Sequence, residues 1–168
     1  MALGQTKIEH PNTRNLVSDL KLHDGAGFLV RVVSSRATAL YEELSGQTDV
    51  TPQQFGVLLT LYQNGPMTLT SLAEHLHLDR STLGEMAKRM SASELIAKQV
   101  SSSDRRSTLV SLSAKGQVKL LDLVEAAASL QQELLAPVPT KHHRLFLKYL
   151  KLVAQVDLKI NKEEKTEE

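Results

Sequence analysis

The run Ile96-Ala97-Lys98-Gln99-Val100-Ser101-Ser102-Ser103-Asp104-Arg105-Arg106-Ser107-Thr108-Leu109-Val110-Ser111-Leu112 breaks the hydrophobic period of the rest of the chain. Ile96, Lys98 and Val100 alternate with Ala97 and Gln99, and Thr108, Val110 and Leu112 alternate with Leu109 and Ser111. A period of two marks a strand, because successive side chains point to opposite faces. The six residues from Ser101 to Arg106 contain nothing apolar and read as a turn. The run therefore predicts a two-stranded hairpin with a basic tip. On either side the apolar residues recur at helical spacing, so the fold class is mainly α with a small β-hairpin.

Upstream, Asp79 opens a helix with Leu83, Met86 or Ala87, and Met90 facing in. Before it, Thr68 caps a short helix holding Leu72, Ala73 and Leu76 inside, followed by a turn at His77-Leu78. A fuller start signal precedes both: Thr51 at the cap, Pro52 at the first helical position and Gln54 three after the cap. This is a capping box, which satisfies two otherwise unpaired N–H groups reciprocally. Its helix is expected to bury Phe55, Leu58, Leu59 and Tyr62 and to stop at Gly65-Pro66. Phe28, Val32, Val33, Leu40, Tyr41 and Leu44 predict a first helix from about Asp24 to Leu44. Downstream, Ser113 caps a long helix striped by Leu120, Leu123, Val124, Ala127, Leu130 and Leu134 and broken by Pro137 and Pro139. A last helix from about Thr140 carries Leu145, Tyr149, Leu152, Val156 and Ile160.

The terminal helices have stripes longer than the central lobe can cover, and such stripes normally mean association. Self-association as a homodimer is the expectation, and an intramolecular bundle is the alternative. The domain reading is an N-terminal arm and first dimerisation helix over 1–46, a central lobe over 47–112, dimerisation helices over 113–162 and a charged tail over 163–168.

Composition narrows the function. The 168 residues are 41% hydrophobic and 23% charged, ordinary for a folded protein. No apolar run approaches the ~20 residues that cross a bilayer, and the first thirty residues carry His, Asp, Lys and Arg rather than a secretory core. A cytoplasmic address is expected. Cysteine is absent, which excludes disulfides, thiolate metal sites and thiol nucleophiles. The net charge is only +1, but Asp79 to Lys119 holds eight Lys or Arg against four acids, a local net of +4. Placement matters more than the sum for a nucleic-acid partner.

Two short helices, a hairpin with adjacent arginines and a long helix, in this order, resemble the winged helix-turn-helix of the MarR family of bacterial regulators. The resemblance rests on Leu72-Ala73-Glu74-His75-Leu76, Asp79-Arg80-Ser81-Thr82-Leu83, Ser103-Asp104-Arg105-Arg106-Ser107 and Leu109-Val110-Ser111-Leu112-Ser113-Ala114-Lys115-Gly116. Thr51-Pro52-Gln53-Gln54-Phe55 resembles the start of the family's second helix, so the likeness covers about residues 25 to 160. It implies a sequence-specific transcriptional regulator, a repressor binding palindromic operators in double-stranded DNA as a homodimer and released by a small ligand. No enzyme motif competes: there is no Gly-rich phosphate loop, no His-Glu-x-x-His and no Gly-x-Ser-x-Gly. No cofactor is expected.

In such a fold the second helix enters the major groove and its N-terminal side chains meet base edges. Here these are Arg80, Ser81, Thr82 and Glu85, with Lys88 and Arg89 as phosphate contacts and Thr68 at the start of the preceding helix. Ser81 and Thr82 have a second reading, as capping side chains with no partner. Glu85 departs from the family's usual neutral or basic residue; it either accepts from a cytosine amino group or pairs with Arg89, its i+4 neighbour, and the pair is favoured. In the wing the resemblance implies that Arg105 or Arg106 reaches the minor groove while Asp104 holds the loop, which suits the negative potential of a narrow minor groove.

For the effector, many family members answer to aromatic acids, which need apolar walls and a cation. Phe28 and Val32 beside Arg31, with His23 and Arg36 nearby, are the candidate set, and interface ion pairs or plain solvation are the alternatives. Two other functions compete. Six histidines, His75, His77, His142 and His143 among them, suggest a metal-responsive regulator, but residues adjacent or two apart on a helix do not share a face. A winged-helix module binding protein instead of DNA would not need Arg80, Arg105 and Arg106 on one surface.

Overall fold

A computed structural model describes residues 19–46, 48–100 and 108–156. The hairpin tip with Asp104, Arg105 and Arg106, the position of Ile160 and the charged tail lie outside the described residues. The elements are α1 (Ala26–Leu44), α2 (Pro52–Asn64), β1 (Met67–Thr68), α3 (Leu69–Leu76), α4 (Arg80–Ala92), β2 (Ile96–Val100), β3 (Thr108–Leu112), α5 (Ala114–Leu135) and α6 (His143–Val153). Short 3-10 turns stand at Leu22–Asp24 and Thr140–His142. The chain divides into two compact units, Met1–Ala39 and Leu40–Glu168.

The larger unit is built from the caps the sequence announces. Thr51 accepts the Gln54 N–H at 3.3 Å while the Gln54 side chain accepts the Thr51 N–H at 2.8 Å, closing the capping box. Thr68 accepts from the Ser71 N–H at 3.1 Å and starts α3. His77, left-handed at φ 50°, ends it. Ser113 both accepts the Gly116 N–H at 2.9 Å and donates its hydroxyl to the Glu94 carbonyl at 2.5 Å, so the start of α5 is tied to the turn after α4.

Around these ends one core forms from Val57, Leu58 and Leu61 of α2, Leu72 and Ala73 of α3, Leu83, Met86, Ala87 and Met90 of α4, Ile96 and Val110 of the strands, and Leu120 and Leu123 of α5. Burial of such side chains stabilises by about 1.5–3 kcal/mol each for the larger ones. Tyr41 closes the edge, donating its hydroxyl to the buried Val50 carbonyl at 3.1 Å; burial pushes its phenol pKa up.

The sheet is three-stranded and antiparallel, in the order β1-β3-β2. The hairpin pairs Ile96 with Leu112, Lys98 with Val110 and Val100 with Thr108. The third strand was not expected: Met67 and Thr68 pair with Val110 and Leu109. Three details correct the sequence reading. Tyr62 is exposed, because α2 turns Leu61 rather than Tyr62 toward the core. On α5 the buried residue at the far end is Leu135 rather than the expected Leu134, while Val124 is exposed, as a stripe left uncovered by the lobe would be. The last helix begins only at His143, after the 3-10 turn at Thr140, and ends at Val153, short of Val156, with Gln155 left-handed just beyond it.

Candidate nucleic-acid interface

α4 is the helix the sequence assigns to DNA reading. Leu83, Met86, Ala87 and Met90 hold it down. Arg80, Ser81, Thr82, Glu85, Lys88 and Arg89 are all exposed on the rest of its surface. The structure thus brings together the six candidates of this helix on one element, while Thr68 stands half-buried at the head of α3 with its hydroxyl oxygen occupied as the cap. Asp104, Arg105 and Arg106 fall between β2 and β3 in the sequence and lie outside the described residues. The strands that carry them are in place, and β2 packs against α4.

The N-terminus of α4 is organised by Asp79. Its Oδ1 accepts the Thr82 N–H at 2.8 Å and the Ser81 hydroxyl at 2.6 Å, and its Oδ2 accepts the Thr82 hydroxyl at 2.5 Å. These donors, the Ser81 and Thr82 hydroxyls first, hold the carboxyl well below the usual carboxylate range. The cap is therefore Asp79; Ser81 and Thr82 are its donors, and each hydroxyl oxygen keeps its capacity to accept.

Glu85 corrects a second expectation. Its carboxylate pairs with Lys88 at 2.5 Å, the i+3 neighbour, and not with Arg89. The Lys88 hydrogen bond and charge lower its pKa, with Arg89 a lesser influence. Both partners are largely exposed, so the pair is open to exchange with solvent or a phosphate.

The effector candidates fall in the N-terminal unit. His23 meets Phe28 edge-on with ring centroids 5.0 Å apart, and the Arg31 guanidinium lies over the same ring at 5.1 Å. Such a cation–π contact is worth about 0.5–1 kcal/mol at an exposed site. Arg36, five residues beyond Arg31 and about 140° round the helix, is exposed and stands apart from that cluster. A surface depression of about 380 Å³ belongs instead to the other unit, where Lys119 Nζ meets Asp49 Oδ1 at 2.8 Å. The sequence reading missed this tie between α5 and the loop before α2. Asp49 and Lys119 stand 70 residues apart, and nothing local pairs them.

Of the histidines weighed for a metal, His75 Nδ1 lies 2.9 Å from the Ser71 carbonyl and His143 Nε2 lies 2.7 Å from the Val138 carbonyl. Among the described residues no three His, Asp or Glu side chains are grouped to hold a metal ion, and no helix is long and apolar enough to cross a membrane.

Comparison with known proteins agrees with this geometry. The MarR family model matches residues 50–108, from the start of α2 to the start of β3. The organic hydroperoxide resistance transcriptional regulator of Bacillus subtilis is 34% identical over 102 residues, 61% of this chain and 69% of that protein. Among solved structures, the PcaV transcriptional regulator of Streptomyces coelicolor, in complex with its natural ligand, superposes with a TM-score of 0.76 at 25% identity, covering 82% of this chain and 96% of that one. The repressor CouR, bound to a 23-mer DNA duplex, gives a TM-score of 0.73 at 25% identity over 81% of this chain and 99% of that one. With a helix-turn-helix, a wing and these relatives, the chain belongs to the MarR family and is a DNA-binding transcriptional regulator, not an enzyme.

Proposed function

We propose that the protein is a homodimeric repressor that reads a palindromic operator, acts in the cytoplasm and is released by a small aromatic carboxylate. The observation that carries the DNA reading is the exposed surface of α4, where Arg80, Ser81, Thr82, Glu85, Lys88 and Arg89 all face away from the core. Arg80 reading a guanine bidentately is worth ~1–3 kcal/mol of discrimination. Lys88 and Arg89 take phosphates, Thr68 lies beside the same backbone, and Arg105 or Arg106 enters the minor groove with Asp104 steadying the turn. In this reading 47–112 is the DNA lobe and the helices of 1–46 and 113–162 make the dimer. Apolar side chains left exposed in one copy support that, among them Phe146, Tyr149, Leu150 and Val153 of α6, a helix with no buried residue.

For the effector, the His23, Phe28 and Arg31 cluster supplies an aromatic wall and a cation, and Arg36, on another side of the same helix, would meet a ligand only from outside that cluster. A ligand shifts an equilibrium only by differential affinity, so it must favour the arrangement that fits DNA poorly.

The test is selection of random duplex DNA on the purified protein, with the salt dependence of the winning site measured afterwards. The expected outcome is a palindrome with half-sites about one turn (~34 Å) apart and a steep negative salt slope, near −0.9 per phosphate contacted. No preferred sequence, with only weak binding at low salt, would overturn the reading in favour of a protein-binding module.

A further inference from the structure

We propose that Gly84, in the middle of α4, is the point where the backbone of the recognition helix comes into direct contact with the floor of the DNA major groove. The proposal rests on the DNA reading given above. Glycine inside a helix is unfavourable relative to alanine, because it surrenders more backbone freedom on folding. Such a residue needs a compensating reason, and several glycines here have one inside the protein. A Cβ on Gly116 would lie 2.0 Å from the Leu95 carbonyl oxygen. Gly46 and Gly65 have positive φ, whereas a Cβ on Gly56 would make only ordinary van der Waals contact with Leu76. Gly27 lies in the first turn of α1, where little helical hydrogen bonding is at stake.

Gly84 has none of these reasons. It is the fifth residue of a thirteen-residue helix, its φ is ordinary, and a Cβ there would meet nothing within 4 Å. Position on the helix says what the open space faces. Ser81, Glu85 and Lys88 are exposed on the side of α4 opposite buried Leu83, Met86, Ala87 and Met90, and Gly84, half-buried, flanks them on the side of Ala87. Along the i±4 ridge the order is Arg80, Gly84, Lys88: a notch between two cations. A missing side chain between Arg80 and Lys88, at the flank of that exposed side, lets α4 seat deeper in the groove, so that Arg80 and Ser81 reach base edges while Lys88 reaches the backbone.

The experiment measures Gly84→Ala and Gly84→Leu against the wild type on the selected operator and on an unrelated duplex, with thermal melting of each free protein at fixed concentration. Both replacements are better helix formers than glycine, so both free proteins are expected to melt higher, by about 2–4 °C for alanine. Operator affinity is expected to fall about tenfold for alanine and further for leucine, since a displaced base contact is as costly as a mismatched base pair. Binding to the unrelated duplex rests on phosphate attraction and is expected to change by less than about twofold. Equal operator affinity in the two variants and the wild type would overturn the proposal while leaving the DNA reading intact. A parallel loss on both duplexes would also overturn it, by assigning the effect to the helix as a whole. A wild type that selects no operator would overturn this proposal and the DNA reading together.

Discussion

At the scale of single residues, the recognition helix is governed by two carboxylates with different tasks. Asp79 gathers the Ser81 and Thr82 hydroxyls and a backbone N–H, so Asp79→Ala is expected to lower the melting temperature by about 2–4 °C, read by circular dichroism, while Asp79→Asn retains most of the cap. Glu85 holds Lys88. Glu85→Gln is expected to tighten binding to any duplex at low salt and to steepen the salt slope by up to about one phosphate's worth, read by fluorescence anisotropy. Arg106→Ala is expected to weaken operator binding without altering the far-ultraviolet dichroism of the free protein; an unchanged affinity and salt slope would count against a wing contact. The pairing of Glu85 was legible only in part. Both Lys88 and Arg89 lie within helical reach of it, and spacing alone does not choose between i+3 and i+4. The hydroxyl clamp on Asp79 was closer to the surface of the sequence, because an Asp cap followed by Ser and Thr at its second and third helical positions puts both hydroxyls beside the carboxylate.

At the scale of elements, the starts of helices were readable and one strand was not. Thr51-Pro52-Gln53-Gln54, Thr68 and Ser113 each announce a cap and each caps the helix expected, while Asp79, expected only as the start of its helix, is its cap in place of Ser81 or Thr82. β1 has two residues, and its ladder is made with Val110 and Leu109 some forty positions away, so no local period betrays it. Tyr62 was misassigned for a related reason: α2 packs on α5 as well as on α3, and that second neighbour sets which face is buried. The junction of α4, β2 and α5 yields its own prediction. Gly116→Ala would drive a Cβ into the Leu95 carbonyl, a backbone atom that cannot swing aside, so a loss of about 3 kcal/mol or more is expected in urea denaturation. The Lys119–Asp49 tie is a weaker fastening, open to solvent, and Lys119→Ala is expected to cost less than about 1 kcal/mol. The Lys119 hydrogen bond lowers the Asp49 pKa below its unfolded value of ~3.9. Its contribution is therefore full at neutral pH and fades as pH falls below about 4 through the folded value, so wild type and Asp49→Asn should converge in acid.

At the scale of the whole molecule, the apolar side chains that one copy leaves uncovered set the expected assembly. Replacing Leu150 of α6 with Glu places a charge among Phe146, Tyr149 and Val153. Sedimentation equilibrium is expected to show the wild type as a dimer and this variant as a monomer, with palindrome affinity falling to that of a half-site. A dimeric variant with unchanged affinity would place the interface elsewhere. The sequence pointed to these stripes but not to their partner, since an amphipathic helix reports that it must be covered and not by what.

The short strand β1 has a mechanical meaning. Thr68 is at once a rung of the sheet and the cap of α3, and Leu95 links Met90 to Ser113 through its N–H and carbonyl. The root of the wing is thus riveted at two places to the pair of helices beside it. In the proposed homodimer the helices and the root of the wing would behave like the fixed jaws of a caliper, whose opening changes when one caliper moves against its twin. On the proposed reading, an effector is expected to act on the separation between the two lobes of the dimer, and mutations that uncouple induction are expected to gather outside residues 47–112, leaving the grip on a single half-site untouched.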